Sequence, residues 1–271
     1  MIKNVSRNWL ASSLLASSLA FSTGAQALPT VDIAFSGNLF PAGSDSLTFN
    51  FGNGSNSRSA RVNAGMFGGA ATNGVDFDPA SLYKNAKDVL FYCVDIIQHL
   101  RRSSTTYNVN DISKSTVVGD ASLGNPRRDF ARTLDFLGAV NFILQDTYSL
   151  DFGDKNWLNP SSGWMSGAIQ VGIWESLYET EGASLAVEDG SGNFFVSRGL
   201  NRKGAGLLSL AFDDMSGTAA LDSNQVKWFS TEYGQDLIAD PASVPLPATL
   251  ALIGLGLAGI GYQRRKVMKV T

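Results

Sequence analysis

The chain is short of the residues on which most site chemistry outside the cell depends: its 271 residues include one cysteine and one histidine. A single Cys93 excludes an intramolecular disulfide, although exported chains usually carry their cysteines in pairs. A lone thiol is then buried and inert, joined to another molecule, or chemically employed. A single His99 excludes a multi-histidine zinc site, and a Ser/His/Asp triad would have to use that one ring with no G-x-S-x-G elbow to present its serine. No P-loop is present, and no motif implies a metal or a cofactor.

Cationic charge is scarce where a folded domain would lie. The stretch from Leu28 to Ser243 has 216 residues, and its fifteen Lys/Arg face all 24 of the chain's Asp/Glu, a formal charge of −9. Phosphate binding needs clustered cations, so nucleic acid is disfavoured as a partner. The acidity suits solubility, and it leaves room for a carboxylate pair acting on polysaccharide, although no pair stands out.

Long apolar runs occur only at the two ends. Lys3 and Arg7 precede an apolar run from Trp9 to Phe21, and Ala25-Gln26-Ala27 puts small residues where a signal peptidase reads. Residues 1–27 are therefore expected to be a signal peptide, removed at Ala27. At the other end Val244-Pro245-Leu246-Pro247-Ala248 cannot continue a helix or a sheet, because each proline removes a backbone donor and fixes φ. An uncharged run, 248–262, follows; at 1.5 Å per residue it covers roughly 22 Å, where a hydrocarbon core needs roughly 30 Å. Arg264, Arg265 and Lys266 then arrive together, a basic stop expected to stay cytoplasmic. Gly254 to Gly259 spells G-x-G-x-x-G, but it follows no strand and has no acidic residue about twenty positions on, as a dinucleotide site requires.

This order of parts, a proline motif, a short Gly/Ala/Leu-rich segment and a basic cluster, resembles the sorting tail of PEP-CTERM proteins, in a Val-Pro-Leu-Pro-Ala variant. The resemblance implies a Gram-negative source and a transient stay in the inner membrane. Signal peptidase and an exosortase would be the processing partners, and release to the cell surface or extracellular matrix would follow. The alternative is an ordinary C-terminal anchor helix.

Between the two ends the pattern is α+β and β-rich, with two or three helices. Val31, Ile33 and Phe35 alternate with smaller or polar residues, as do Leu47, Phe49 and Phe51, and then Val62, Ala64 and Met66, with glycine-rich turns between them. These read as short antiparallel strands. Val89 to Ile97 (VLFYCVDII) reads as a buried strand, and Arg101 to Val118 as a polar hairpin or loop. Pro126 opens a helix over Arg127 to Tyr148, with Phe130, Leu134, Leu137 and Asn141 on one stripe widened by Ala131, Phe142 and Ile143. A second helix is expected over Ser166 to Glu179, Ile169, Ile173 and Leu177 facing the core beside a row of Gln170, Trp174 and Tyr178. A buried amide at Gln170 would have to find several hydrogen-bond partners. Asp189-Gly190-Ser191-Gly192-Asn193 opens like a calcium loop, but Leu200 stands where an EF-hand needs a bidentate Glu, so a turn is expected. Leu207 to Phe212 and Val226 to Phe229 read as strands.

Phe91-Tyr92-Cys93-Val94-Asp95, the following long helix and Ala168-Ile169-Gln170-Val171-Gly172-Ile173-Trp174 resemble, over roughly residues 60–180, the thioester domains of bacterial surface adhesins. The resemblance implies an internal thioester between Cys93 and Gln170. Asp95 and Trp174 are candidates to assist, Asp95 because alternate residues of a strand share one face. The chemistry needs a thiol, a primary amide held against it and little water. The function expected is structural or adhesive, with coupling to an amine-bearing surface partner or extracellular polysaccharide, and with no catalysis beyond self-made thioester formation. The alternatives are a secreted hydrolase of matrix polysaccharide, and a non-covalent binding module in which Cys93 is plain core.

Overall fold

A computed structural model describes residues 29–239, apart from 36, 53–56, 73–85, 87–88, 97, 113–115, 118–127, 150–159, 180–182, 189, 191 and 233. The expected signal peptide and the whole C-terminal tail lie outside the described residues. Among the described residues no helix is long and apolar enough to cross a membrane.

Six antiparallel strands close into a barrel. In chain order they are β1 (Thr30–Ala34), β4 (Phe67–Thr72), β5 (Val89–Cys93), β6 (Thr105–Asp111), β10 (Lys227–Ser230) and β11 (Leu237–Ala239). Around the barrel the order is β1-β4-β5-β11-β10-β6, with β6 returning to β1. Closure leaves no edge along the paired lengths. Inward residues alternate along each strand, and their rings meet edge to face: Phe35 with Phe91, and Phe91 with Phe229 at 5.7 and 5.2 Å between centroids. Lys227 and Asp111 lie opposite each other across the β6/β10 seam and form an ion pair of 2.6 Å.

A second antiparallel sheet is built from β3 (Arg58–Ala64), β2 (Asp45–Phe51) and β9 (Phe194–Arg198), and a short ladder joins β7 (Thr116–Val117) to β8 (Arg128–Asp129). The three helices are α1 (Ala131–Asp146), α2 (Gly163–Tyr178) and α3 (Arg202–Asp214). Helix α2 is the centre of the arrangement: it touches α1 and α3 and also β2, β3 and β9. Every residue of α2 from Met165 to Tyr178 is buried. A helix enclosed on all sides has no solvent face, so both rows expected along it, Ile169-Ile173-Leu177 and Gln170-Trp174-Tyr178, are interior.

Close packing on α2 depends on glycine. The Phe136 ring of α1 fills the space that a Cβ on Gly172 would need, and Gly163 lies against the backbone of Gly43 and Ser44. Gly192, at φ 87°, carries the chain past the Glu179 carboxylate, which accepts a hydrogen bond from the Asn193 N–H at 2.9 Å.

The β-rich α+β reading, with short antiparallel strands and two or three helices, agrees with this fold. Several segments differ. Leu207 to Phe212 belongs to helix α3, not to a strand: Gly204, Leu207, Leu208 and Ala211 form its buried stripe at helical spacing, and the Asn201 side chain caps it by accepting from the Lys203 N–H. A short apolar run such as this one suits a strand and a helix alike. The segment read as a polar hairpin or loop contains β6, whose Tyr107 and Val109 alternate with Thr and Asn and line the barrel. Helix α1 begins at Ala131, because Arg128–Asp129 pairs with β7 instead. Phe142, expected on the core face, is 53% exposed, since the packed face of α1 runs through Thr133, Phe136, Val140 and Leu144. Gly190 and Gly192 adopt positive φ, as a turn before β9 requires; Asp189 and Ser191 lie outside the described residues.

Gly172→Ala is expected to force the Phe136 ring to move and to lower stability by about 1–3 kcal/mol. Gly206→Ala, on the exposed face of α3 where no atom lies within 4 Å, should instead raise it by up to about 1 kcal/mol. Denaturant midpoints of the two variants check the contrast.

Candidate functional site

The site forms where β4 and β5 part. Their pairing runs through Phe67 and Phe91, after which the chain preceding β4 turns away toward the second sheet. On its other side β5 stays paired with β11, and the Val94 N–H donates to Asp236 O at 2.9 Å. Successive backbone groups of a strand point to opposite sides, so the N–H and C=O of Cys93 both face the side that β4 has left. A buried, unpaired backbone pair of this kind costs about 1–3 kcal/mol per group.

Helix α2 supplies the missing partner. The Gln170 side chain accepts from the Cys93 N–H through Oε1 and donates from Nε2 to Cys93 O, both at 2.8 Å. An amide is the one side chain that presents a donor and an acceptor side by side, so it imitates the edge of another strand. One turn earlier Ser166 Oγ accepts from the Met66 N–H at 2.6 Å, and two turns later Tyr178 Oη donates to Val94 O at 3.2 Å and accepts from the Ile96 N–H at 3.4 Å. Residues 166, 170, 174 and 178 recur every four positions and share one face of the helix. That face closes the split in the barrel wall.

The same row is gripped from outside by the second sheet. Phe49 and Phe194 pack on Trp174 at 5.7 and 6.2 Å, and Phe51 meets Tyr178 edge to face at 4.9 Å. Cys93 and Gln170 are both fully buried.

Around the thiol lies a set of polar groups. Cys93 Sγ donates to Asp95 O at 2.9 Å. Burial pushes the Cys93 thiol well up, the Asp95 and Asp236 carboxylates push it further, and the Trp174 indole opposes them. That indole N–H is buried with no hydrogen bond of regular geometry, so its help to a thiolate is slight. Asp95 Oδ2 accepts from the Asp236 N–H at 2.9 Å, Gln235 Nε2 donates to Asp95 O at 2.8 Å, and Asp236 Oδ1 accepts from the Thr231 N–H at 2.9 Å. Burial, then the Asp95 charge, pushes the Asp236 carboxyl up to about 7. The Tyr107 hydroxyl is buried without a hydrogen-bond partner, and its pKa is raised by burial and by Asp236 and Cys93, with Arg101 acting the other way.

The structure thus brings Cys93, Gln170, Trp174 and Asp95 into one cluster. It corrects the route by which Asp95 arrives: β5 ends at Cys93, so Asp95 does not share a strand face with Cys93, and it reaches the thiol through its backbone oxygen after the chain has turned. Ile97 lies outside the described residues, and His99 is exposed. Sequence reasoning missed Ser166, Tyr178 and Asp236. The first two were visible as members of the i, i+4 row containing Gln170; Asp236 stands 143 residues from Cys93 and no local signal joins them. Among the described residues no group of three or more His, Cys, Asp and Glu side chains could hold a metal ion.

Residues 243–266 match the PEP-CTERM protein-sorting motif. The chain carries the address of an exported protein that an exosortase processes at the membrane for delivery to the cell surface. The match covers the expected Val244 to Ala248 motif and the basic stop at Arg264, Arg265 and Lys266, all outside the described residues. No curated protein and no solved structure matches the chain, so the resemblance to thioester domains rests on the motif residues and their geometry alone.

In a Cys93→Ala background, which leaves the backbone intact, Gln170→Ala is expected to lower stability by about 2–4 kcal/mol, because two buried backbone groups lose their partner. Tyr178→Phe should cost about 1–2 kcal/mol. Equilibrium unfolding of the single and double variants checks both.

Proposed function

We propose that this exosortase-processed protein is a structural or adhesive component of the cell surface or extracellular matrix, and that it couples to an amine-bearing partner through an internal thioester between Cys93 and Gln170. The observation that carries the reading is the pair of 2.8 Å bonds that fixes the Gln170 amide on Cys93 itself. Holding the two reacting residues together removes most of the entropic barrier to their reaction. Cys93 is also the chain's single cysteine, so no disulfide competes for it.

The reaction balances without any further reagent. The sulfur of Cys93 attacks the side-chain carbonyl carbon of Gln170; the S–C bond forms, the C–N bond breaks, and the amide nitrogen leaves as ammonia with the thiol proton. Complete burial keeps water from the acyl group. An amine admitted by local opening would break the S–C bond, form an amide with the residue 170 acyl group and restore the thiol.

A second reading has its own support. The same two hydrogen bonds satisfy the Gln170 amide without any covalent step, and burial disfavours the thiolate of Cys93. On that reading Cys93 is core, and the protein binds its partners non-covalently.

Intact mass separates the two. The first expects the purified wild-type chain to be lighter by one ammonia than its sequence requires, with Cys93→Ala and Gln170→Ala at full mass and with methylamine adding to the wild type alone. A wild-type chain at full mass, unreactive toward methylamine, would overturn it.

A further inference from the structure

Three features remain outside the account above. A surface groove of about 520 Å³ between α1 and residues 214–225 has the exposed Phe142 on its rim, but no feature of the structure indicates what would cover it. The buried Tyr107 hydroxyl stands alone on its strand. The third feature, the pair of carboxyls beside Cys93, carries an inference.

Asp95 and Asp236 are 141 residues apart in the chain and are drawn together by the backbone. The Asp236 N–H bonds the Asp95 carboxylate, and the Val94 N–H bonds Asp236 O, so residues 93–95 and 235–236 form one hydrogen-bonded knot at the end of the β5/β11 ladder. Gln235 fastens it a third time through Asp95 O, the same oxygen that receives the Cys93 S–H. Asp95 is 7% exposed and Gln235 8%, while Asp236 is half-buried at the margin of the knot. Burial, then the Asp95 charge, raises the Asp236 carboxyl to about 7, so it gains and loses its proton near neutral pH.

Thiol and amide alone lack a proton carrier. A thiolate formed by losing its proton to bulk water would add a charge to a buried site, which is costly. A proton passed from Cys93 to a neighbouring carboxylate adds none: the negative charge moves from oxygen to sulfur inside the same cluster.

We propose that the Asp95–Asp236 pair accepts the proton of Cys93 as the sulfur attacks Gln170 and returns it to the departing nitrogen. This rests on the thioester reading of Cys93 and Gln170. The step balances: the S–H bond breaks as a carboxyl O–H bond forms, the S–C bond forms, and the C–N bond breaks as nitrogen takes the proton and leaves as ammonia. The pair ends as it began. The other titratable groups facing it are the Cys93 thiol from β5, the Tyr107 hydroxyl from β6, the Tyr178 hydroxyl from α2 and Arg101 from the segment before β6. The two tyrosines stay neutral at ordinary pH, both being raised by burial.

The experiment follows ammonia loss by intact mass after a pulse of cell-free synthesis of the full chain, with samples quenched in denaturing acid. The wild-type rate is expected to rise with pH and level off above about 7, where the pair is ready to accept a proton. Asp236→Asn should slow the loss by about 100-fold and remove that dependence, while Asp236→Glu should restore much of both. Circular dichroism of each variant shows whether it is folded. A wild-type rate that does not change between about pH 5 and about pH 9 overturns the proposal whatever the variants do, and so does a folded Asp236→Asn chain that loses ammonia at the wild-type rate. A wild-type chain that never loses ammonia overturns the thioester reading itself, a separate outcome.

Discussion

A barrel wall with one strand too short is the constraint on which the rest of this structure depends. Beyond Phe91 the β5 strand has β11 on one side and no strand on the other, and the backbone of Cys93 must be satisfied in the interior. Only a side chain that offers a donor and an acceptor together, delivered from a rigid element, can do this without a strand. Gln170 on α2 is that side chain, and the position of α2 follows from it. Ser166 and Tyr178 repeat the device at Met66 and at Val94 and Ile96, so the helix is fastened to the barrel at three levels.

Helix α2 is then buried on every side. The second sheet covers the Gln170-Trp174-Tyr178 row with Phe49, Phe51 and Phe194, while α1 and α3 cover the remainder. This explains the glycines: Gly172 and Gly163 are places where a neighbour comes too close for a side chain. It also explains why a chemically active arrangement could survive here. The polar groups are fixed by tertiary packing, and Cys93 and Gln170 are fully buried. The sorting motif at 243–266 gives such a domain its setting, since a protein sent to the cell surface meets partners and has no cytosolic reductant to protect it.

How much of this was legible in the sequence depended on the range of the interaction. Alternation identified β1 and β2, and the helical row of α2 was read correctly because four-residue spacing is a local property. The thioester pairing of Cys93 with Gln170 was reached through motif resemblance; what the structure shows is the Gln170 amide bonded to the Cys93 backbone. Leu207 to Phe212 was misread because a short apolar run of six residues does not by itself separate a strand from a buried helix segment, and the cap at Asn201 that would have decided it lies outside that window. Segment β6 was read only as part of a polar hairpin or loop, because its threonines and asparagines do not look like barrel wall; they are the outward half of a barrel strand. Asp236 could not be found from the sequence at all, because only the β5/β11 register brings it beside Asp95.

The central claim is that α2 completes the barrel wall by bonding the backbone at Cys93. Amide hydrogen exchange at Cys93 tests it most directly, because this N–H has no strand partner and depends on Gln170 alone. In the Cys93→Ala chain the residue 93 amide is predicted to exchange as slowly as those of Phe91 and Leu237 in the barrel, and Gln170→Ala should release it selectively. Rapid exchange at residue 93 with Gln170 in place would contradict the account.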